Sequence, residues 1–263
     1  MDDEFTQQKN IESSQDTISI LIGHYSPFTG RDLLYKGMTS QIVAEALDAI
    51  NQSYTVTYIN DFPAHLNVLL KNRHFDTGHP WFNLGCSDIK VKEANPIRCE
   101  YRFSKPIFKT LVMFWKRVDD PFDFQTDSDV HGKRVCRPEG WFTHDLDSPE
   151  RRWIRDGHIT LVQPPNLSEC FKLLMGGQVD LVTDQEFGGQ EALHQLGIQD
   201  QVEILSRPVS DEAMHMLIHR SHPQATRYLL RLNQGLKILQ ESGRSERIKA
   251  WHIDRFWHEL EKK

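Results

Sequence analysis

The sequence predicts an α/β fold of two open-sheet lobes joined by a two-strand hinge. Three observations carry this expectation. Residues 168–189 (SECFKLLMGGQVDLVTDQEFGG) read as a helix, a glycine stop, a short buried strand and a polar end. Cys170, Phe171 and Leu174 recur at helical spacing. The run 66–81 (LNVLLKNRHFDTGHPW) repeats that unit: Leu69, Leu70 and Asp76 hold the relative positions of Leu173, Leu174 and Asp180. Each copy also follows a β run that ends in an aromatic turn. The first, 19–28 (SILIGHYSPF), carries Tyr25 and Phe28; the second, 134–142 (RVCRPEGWF), carries Gly140, Trp141 and Phe142. The competing reading is that any α/β protein shows loose echoes of this kind.

Length and composition bound the function. A chain of 263 residues allows one large domain or two lobes of ordinary size. A hydrophobic fraction of 38% with six Trp supplies a core. The net charge of −6 leaves no basic footprint for nucleic acid. No apolar run approaches the roughly 18–20 residues of a membrane span. The first residues, MDDEFTQQKNIESSQD, lack the positive and apolar regions of a signal peptide. That is consistent with a cytosolic chain or with a processed one.

The elements follow in order. Residues 1–17 are polar and read as a disordered N-terminal segment. A strand covers 17–22, followed by the turn that presents Tyr25 and Phe28. Thr39 can cap a helix with the apolar stripe Ile42, Val43, Ala46, Leu47 and Ile50. A strand at 54–59 and a helix at 62–71 follow. The next strand begins at Phe75, and Gly78, His79, Pro80 and Trp81 form the loop after it. Residues 107–115 are an extended run, and 119–131 an acidic loop. Strands at 132–136 and 159–162 flank a helix or turn that starts at Gly140. Ser168 caps the next helix, Gly176 and Gly177 end it, and 179–183 is a buried strand of β-branched residues. Asp184, Gln185 and Glu186 then lie past the strand's carboxyl end, where open α/β sheets bind ligands. A short helix at 190–196, strands at 202–205 and 213–219, and two helices complete the chain. The first of these carries Leu229, Leu232, Leu236 and Leu239, the second Ile248, Trp251 and Phe256.

This order makes the chain cross twice between lobes, near 110–116 and near 207–213. Lobe 1 is expected at 18–111 plus 213–263, and lobe 2 at 112–212. A hinge between two open sheets makes a cleft that closes on a ligand. The four cysteines show no C-x-x-C spacing, which argues against zinc or a redox motif. Cys136 and Cys170 fall on a strand and a helix face of one lobe, and Cys86 and Cys99 flank one loop of the other. Disulfides Cys136–Cys170 and Cys86–Cys99, in an oxidising compartment, are expected, with four buried thiols acting as small hydrophobes as the alternative.

Several stretches together carry a family resemblance: Tyr25-Ser-Pro-Phe28, Gly37-Met-Thr-Ser-Gln-Ile-Val, the unit ending at Asp76, and Phe103-Ser-Lys-Pro106. Gly132 to Gly140, Gly177-Gln-Val-Asp180, and the run from Asn233-Gln-Gly-Leu to Ser242-Gly243 complete the set. The chain resembles a bacterial extracellular solute-binding protein of the polar amino-acid type, with the periplasmic binding protein type II fold. The resemblance implies an arginine for the ligand carboxylate, and Arg98 is its nearest match. It implies an acidic ligand for the α-amino group at Asp184, Gln185 or Glu186. It places an aromatic clamp at Tyr25, Phe28, Trp81 and Trp141. Gly140 matches a glycine whose following backbone N–H groups, at a helix N-terminus, bind anions. Trp141 departs from the small hydroxyl residue usual at its position.

The expected function is therefore capture of a small polar metabolite, an amino acid or relative, for an ABC-type permease. The expected setting is the periplasm, with a signal peptide removed, as a monomer without cofactor or metal. Two alternatives remain. One is an enzyme resembling cyclohexadienyl dehydratase, with Glu186 and His79 as acid–base groups. The other is the sensing domain of a membrane receptor.

Overall fold

The computed structural model describes residues 17–86, 92 and 96–262. The expected disordered segment lies outside them, apart from Thr17. Strand β1 (Ile18–Ile22) pairs in parallel with β2 (Tyr54–Tyr58) and β3 (Thr77–Phe82). Helix α1 (Met38–Asp48) crosses between the first two and buries Ile42, Val43, Ala46 and Leu47. Thr39 is not its cap. Gly37 precedes the helix with φ of +100°, and the Thr39 hydroxyl instead donates to the Phe28 carbonyl at 2.9 Å. The expected helix at 62–71 is a short α turn, α2 (Phe62–Ala64), that continues as a π-helical turn over His65–Leu69. Asp61 caps α2 through its carboxylate, which accepts from the Ala64 N–H at 2.9 Å.

The strand β3 lies later than expected and contains Gly78, His79, Pro80 and Trp81, all buried. A proline is tolerated there because the ladder to β10 (Ser210–His219) is irregular at that point. The register shifts between His215 and Leu217, opposite Pro80, and a bulge needs no donor from the proline. Strand β4 (Tyr101–Phe103) also pairs with β10.

The second half repeats the plan. Strand β6 (Arg134–Cys136) pairs in parallel with β7 (Thr160–Val162) and β8 (Leu181–Gln185). Helix α3 (Leu167–Met175) packs Cys170, Phe171 and Leu174 inward. Its cap is Asn166, not Ser168: the Asn166 Oδ1 accepts from the Glu169 N–H at 3.0 Å. Helix α4 (Glu186–Leu196) starts four residues before expectation, directly after β8. The echoed aspartates do the same job in both halves. Asp76 accepts from the Ser19 N–H at 2.7 Å, and Asp180 accepts from the Arg134 N–H at 2.7 Å, so each fastens the start of its first strand.

The two sheets expected are one curled sheet. Strand β5 (Phe108–Arg117) and β10 pair antiparallel, Phe108 to Val112 against Met214 to Ser210. Beyond that stretch β10 pairs with β3 and β4, while β5 pairs with β8 and with β9 (Val202–Ile204). The strand order is β2-β1-β3-β10-β5-β8-β6-β7, with the lobes on either side of the shared β10–β5 pair. Helix α5 (Ala225–Glu241) lies on α1, with Gly235 so close that a Cβ would stand 1.9 Å from the Ala46 carbonyl oxygen. Helix α6 (Arg244–Leu260) buries Ile248, His252, Phe256 and Leu260, whereas Trp251 is 42% exposed rather than on the apolar face. Phe256 reaches Phe187 of α4 at 5.2 Å between ring centres. Both cysteine pairs are disulfides: Cys136–Cys170 joins β6 to α3, and Cys86–Cys99 closes a loop beside β4.

Candidate functional site

The sheet geometry leaves a cleft of about 560 Å³ between the aromatic turns of the two halves. The turn after β1 contributes His24 and Tyr25, and the α2 segment contributes Phe62, Leu66 and Asn67. Strand β3 contributes Pro80, Trp81 and Phe82, and the segment before β4 contributes Ile97 and Arg98. Gly140, Trp141 and Phe142 face them from the other half. The rings meet edge to face. Phe62 lies 5.4 Å from Trp81, Tyr25 lies 6.3 Å from Trp141, and Phe82 lies 4.5 Å from Phe142.

Of the expected site residues, Tyr25, Trp81, Arg98, Gly140 and Trp141 line this cleft. The Arg98 guanidinium lies over the Trp81 ring at 5.4 Å. Its Nη1 is buried and has no hydrogen-bond partner among the described residues. Burial pushes its pKa down to about 10, with Glu212 opposing, so it remains a cation at neutral pH. The Trp81 Nε1 and the Tyr25 hydroxyl are also buried without a partner among the described residues. Burial holds the Tyr25 phenol well above its usual pKa; Asp184 and Glu212 add to that, and Arg137 works against it.

The other candidates are placed elsewhere. Phe28 is fully buried, 5.4 Å from Phe108 and 5.6 Å from Phe187, so it belongs to the core. The tight turn that pairs Tyr25 with Thr29 aims its ring inward. Asp184 and Gln185 lie within β8, not past its end, and neither lines the cleft. Asp184 is 1% exposed and neither carboxyl oxygen finds a partner among the described residues. Burial pushes its pKa up to about 8, so it is mostly protonated at neutral pH. Gln185 caps α4, its Oε1 accepting from the Phe187 N–H at 2.9 Å. Glu186 sits in the first turn of α4, where a carboxylate suits the helix dipole, outside the cleft. The expected opposition of Arg98 and an acid across the cleft is therefore absent from the described lining.

No helix follows Gly140. It is exposed, with φ of +77°, and the chain after it runs in turns. Side chains hold that segment in place of a helical ladder, among them Asp147, which accepts from the Arg155 N–H at 2.9 Å. Gly140 thus has no helix N-terminus with which to cradle an anion. His79 is equally removed from acid–base chemistry in the cleft. It is 1% exposed, its Nδ1 lies 3.3 Å from the Thr39 hydroxyl, and burial pushes its pKa down to about 3.

Two pairs, Arg137 with Asp145 and Glu212 with His144, went unrecognised in the sequence. Arg137, at the end of β6, is fully buried. It donates to both Asp145 carboxylate oxygens at 2.5 and 2.9 Å, to the Thr183 hydroxyl at 2.9 Å and to the Phe142 carbonyl at 2.6 Å. Its guanidinium also lies 4.8 Å from the Phe142 ring centre, which fixes that cleft residue by backbone and ring together. Glu212, on β10, lies 3.2 Å from the His144 Nε2. The sequence signal for Arg137 was its place directly after an apolar strand, where a charge is either at a surface or in a paired site. Among the described residues, no group of three or more His, Cys, Asp or Glu could hold a metal ion.

No protein-family model matches the chain, and no curated protein matches it in sequence. Solved structures do resemble it. A histidine kinase sensor domain with similarity to periplasmic binding proteins matches at 16% identity and a TM-score of 0.68, over 90% of this chain and 95% of that one. The GluR0 ligand-binding core from Nostoc punctiforme, in complex with L-glutamate, matches at 19% identity and 0.61, over 88% and 96%. The amino acid ABC transporter substrate-binding protein AbpA from Streptococcus pneumoniae, bound to L-arginine, matches at 13% and 0.64, over 91% and 95%. The fold is that of the type II periplasmic binding proteins.

Proposed function

We propose that the chain is a solute-binding domain that captures a small carboxylate-bearing metabolite, an amino acid or a relative of one, between its lobes. Lobe 1 is 18–111 with 213–263, and lobe 2 is 112–212. The observation that carries this reading is Arg98. A cationic fork stands in the cleft wall on the face of Trp81, with one buried nitrogen unpartnered among the described residues. Buried donors take acceptors, and a carboxylate matches the planar guanidinium. Tyr25, Trp81 and Trp141 supply the apolar walls.

The domain binds its solute without converting it and reports the bound state to a membrane partner. That partner is an ABC-type permease or a signalling receptor; a sensor domain and a transporter-associated binding protein both stand among the similar structures. The two disulfides support a periplasmic or extracellular setting.

A thermal-shift screen of small carboxylates, followed by calorimetry, tests the reading. A ligand at about 100 times its Kd adds roughly 2.7 kcal/mol of stability. Arg98→Ala should weaken binding by roughly 2–5 kcal/mol, the range for truncating one side of a buried charge pair. An affinity within threefold of wild type for Arg98→Ala would overturn Arg98 as the anchor. Chemical conversion of the ligand, followed by NMR, would favour an enzyme.

A further inference from the structure

We infer that the ligand is an aryl carboxylate: a flat aromatic body with one anionic end and no ammonium group. The inference rests on the reading of the cleft as the ligand site and names the class of ligand that site selects. Two independent features of the cleft lead to it.

The first is the distribution of charge. Arg98 is a cation in the lining, and the described lining holds no carboxylate. The acids nearby are already used or closed off. Asp145 is held by Arg137. Glu212 is 8% exposed and is faced by His144. Asp184 is 1% exposed and lies under Gly188, where a Cβ would stand 2.4 Å from its Oδ2. Its burial keeps it mostly uncharged at neutral pH. An ammonium entering this cleft would lose water and meet no carboxylate among the described lining residues, which is costly. A carboxylate would meet Arg98.

The second is the shape and chemistry of the walls. Trp81 and Phe82 on one lobe face Trp141 and Phe142 on the other. The edge-to-face pairs with Phe62 and Tyr25 hold both indoles in place. Such walls favour a π-faced body, because offset and edge contacts between rings add to simple burial. The polar groups left, Asn60, Asn67 and His24, do not supply a fixed negative charge. The Asn60 Oδ1 is itself taken by the His24 N–H at 2.9 Å. The volume of about 560 Å³ lies in the general range of small-molecule sites, about 300–1,000 Å³, and so admits a ring.

The test is calorimetry on the full chain with matched compounds. Indole-3-propionate and 3-phenylpropionate carry ring and carboxylate, tryptamine carries ring and ammonium, and L-tryptophan carries all three. Propionate, L-glutamine and L-glutamate lack the ring. Saturable binding of at least one aryl carboxylate is expected, at least tenfold tighter than L-tryptophan or propionate, with no measurable binding of tryptamine. Arg98→Gln should lower that affinity at least tenfold and Arg98→Lys less, while Trp141→Ala should lower it for the aryl compounds. Circular dichroism confirms that each variant is folded. Tighter binding of L-glutamine, L-glutamate or L-tryptophan than of both aryl carboxylates, lost in Arg98→Gln, would overturn the ligand class and leave the solute-binding reading standing. Absence of saturable binding by every carboxylate would overturn both.

Discussion

Replacing Arg137 by Met should be among the most damaging single changes outside the apolar core. The guanidinium and the Asp145 carboxylate are both fully buried. Arg137 makes four hydrogen bonds, two of them to that carboxylate. Met fills a similar length but leaves Asp145 as a buried anion without its partner. Breaking such a pair from one side costs about 3–5 kcal/mol. At about 2–4 °C per kcal/mol for a chain of this general size, the melting temperature should fall by roughly 6–20 °C. Acid dependence follows in sign. Burial raises the Asp145 pKa, but the charge and hydrogen bonds of Arg137 outweigh it and hold it below the ordinary value. A depressed carboxylate contributes stability above its unfolded pKa of about 3.9, and that stability is lost as pH falls through the folded value. Wild type should therefore lose its advantage over the variant below about pH 4. The double variant Arg137→Met/Asp145→Leu should recover most of the loss, because two apolar groups leave no orphaned charge. Urea titrations at pH 7 and pH 3 give the comparison. A single variant within about 1 kcal/mol of wild type, or a double variant worse than the single, would refute this account.

Three further outcomes are expected. Asp184→Asn should gain stability relative to wild type as pH rises from about 4 to about 8, since the native state retains a proton that the unfolded chain releases; a pH-independent difference in melting temperature would count against the buried neutral acid. Gly235→Ala should lower the denaturant midpoint by at least about 1–3 kcal/mol in stability, because its methyl would collide with the Ala46 carbonyl of α1, and an unchanged midpoint would mean that the helices part freely. Removing both Cys136 and Cys170 as alanines should cost about 2–4 kcal/mol by releasing the chain between them in the unfolded state; detection of both as alkylatable thiols in unreduced, oxidatively produced protein would remove the basis for that figure.

Much of the architecture was legible because it is carried by periodicity. The apolar stripes of α1 and α5 and the paired motif around Asp76 and Asp180 needed only local spacing. Features that depend on what faces a residue were not legible. Asn166 and Ser168 are both good caps, and which one serves depends on where the first turn begins. The turn after β1 presents two aromatics at its surface in sequence terms, yet Tyr25 faces the cleft and Phe28 the core. Asp184 looked like an exposed acid because it follows an apolar run, but β8 extends through it and pairs it with Met113. Nothing local in the sequence singles out Arg137 or Glu212. Their neighbours, Asp145 and His144, come from a turn segment that has no periodic signal. Arg98 was within reach because the resemblance named its position, whereas Trp81 and Trp141 also stand in the echoed units.

The shared β10–β5 ribbon also constrains how the molecule can move. Two lobes on loose tethers could swivel about many axes. Here the tethers are rungs of the same ladder, and a two-stranded ribbon carries more twist than a wide sheet. On the solute-binding reading, the resting twist angle of that ribbon would set the fraction of open molecules. Residues that never touch a ligand share in setting that angle. Leu111 is 43% exposed on β5, and Lys109 meets Asp211 across the ribbon at 3.7 Å. Substitutions there would act on affinity through the balance of states, because a ligand's apparent affinity scales with the fraction of molecules able to receive it. On the proposed reading, recognition by the cleft and sensitivity set by the ribbon would be separable properties.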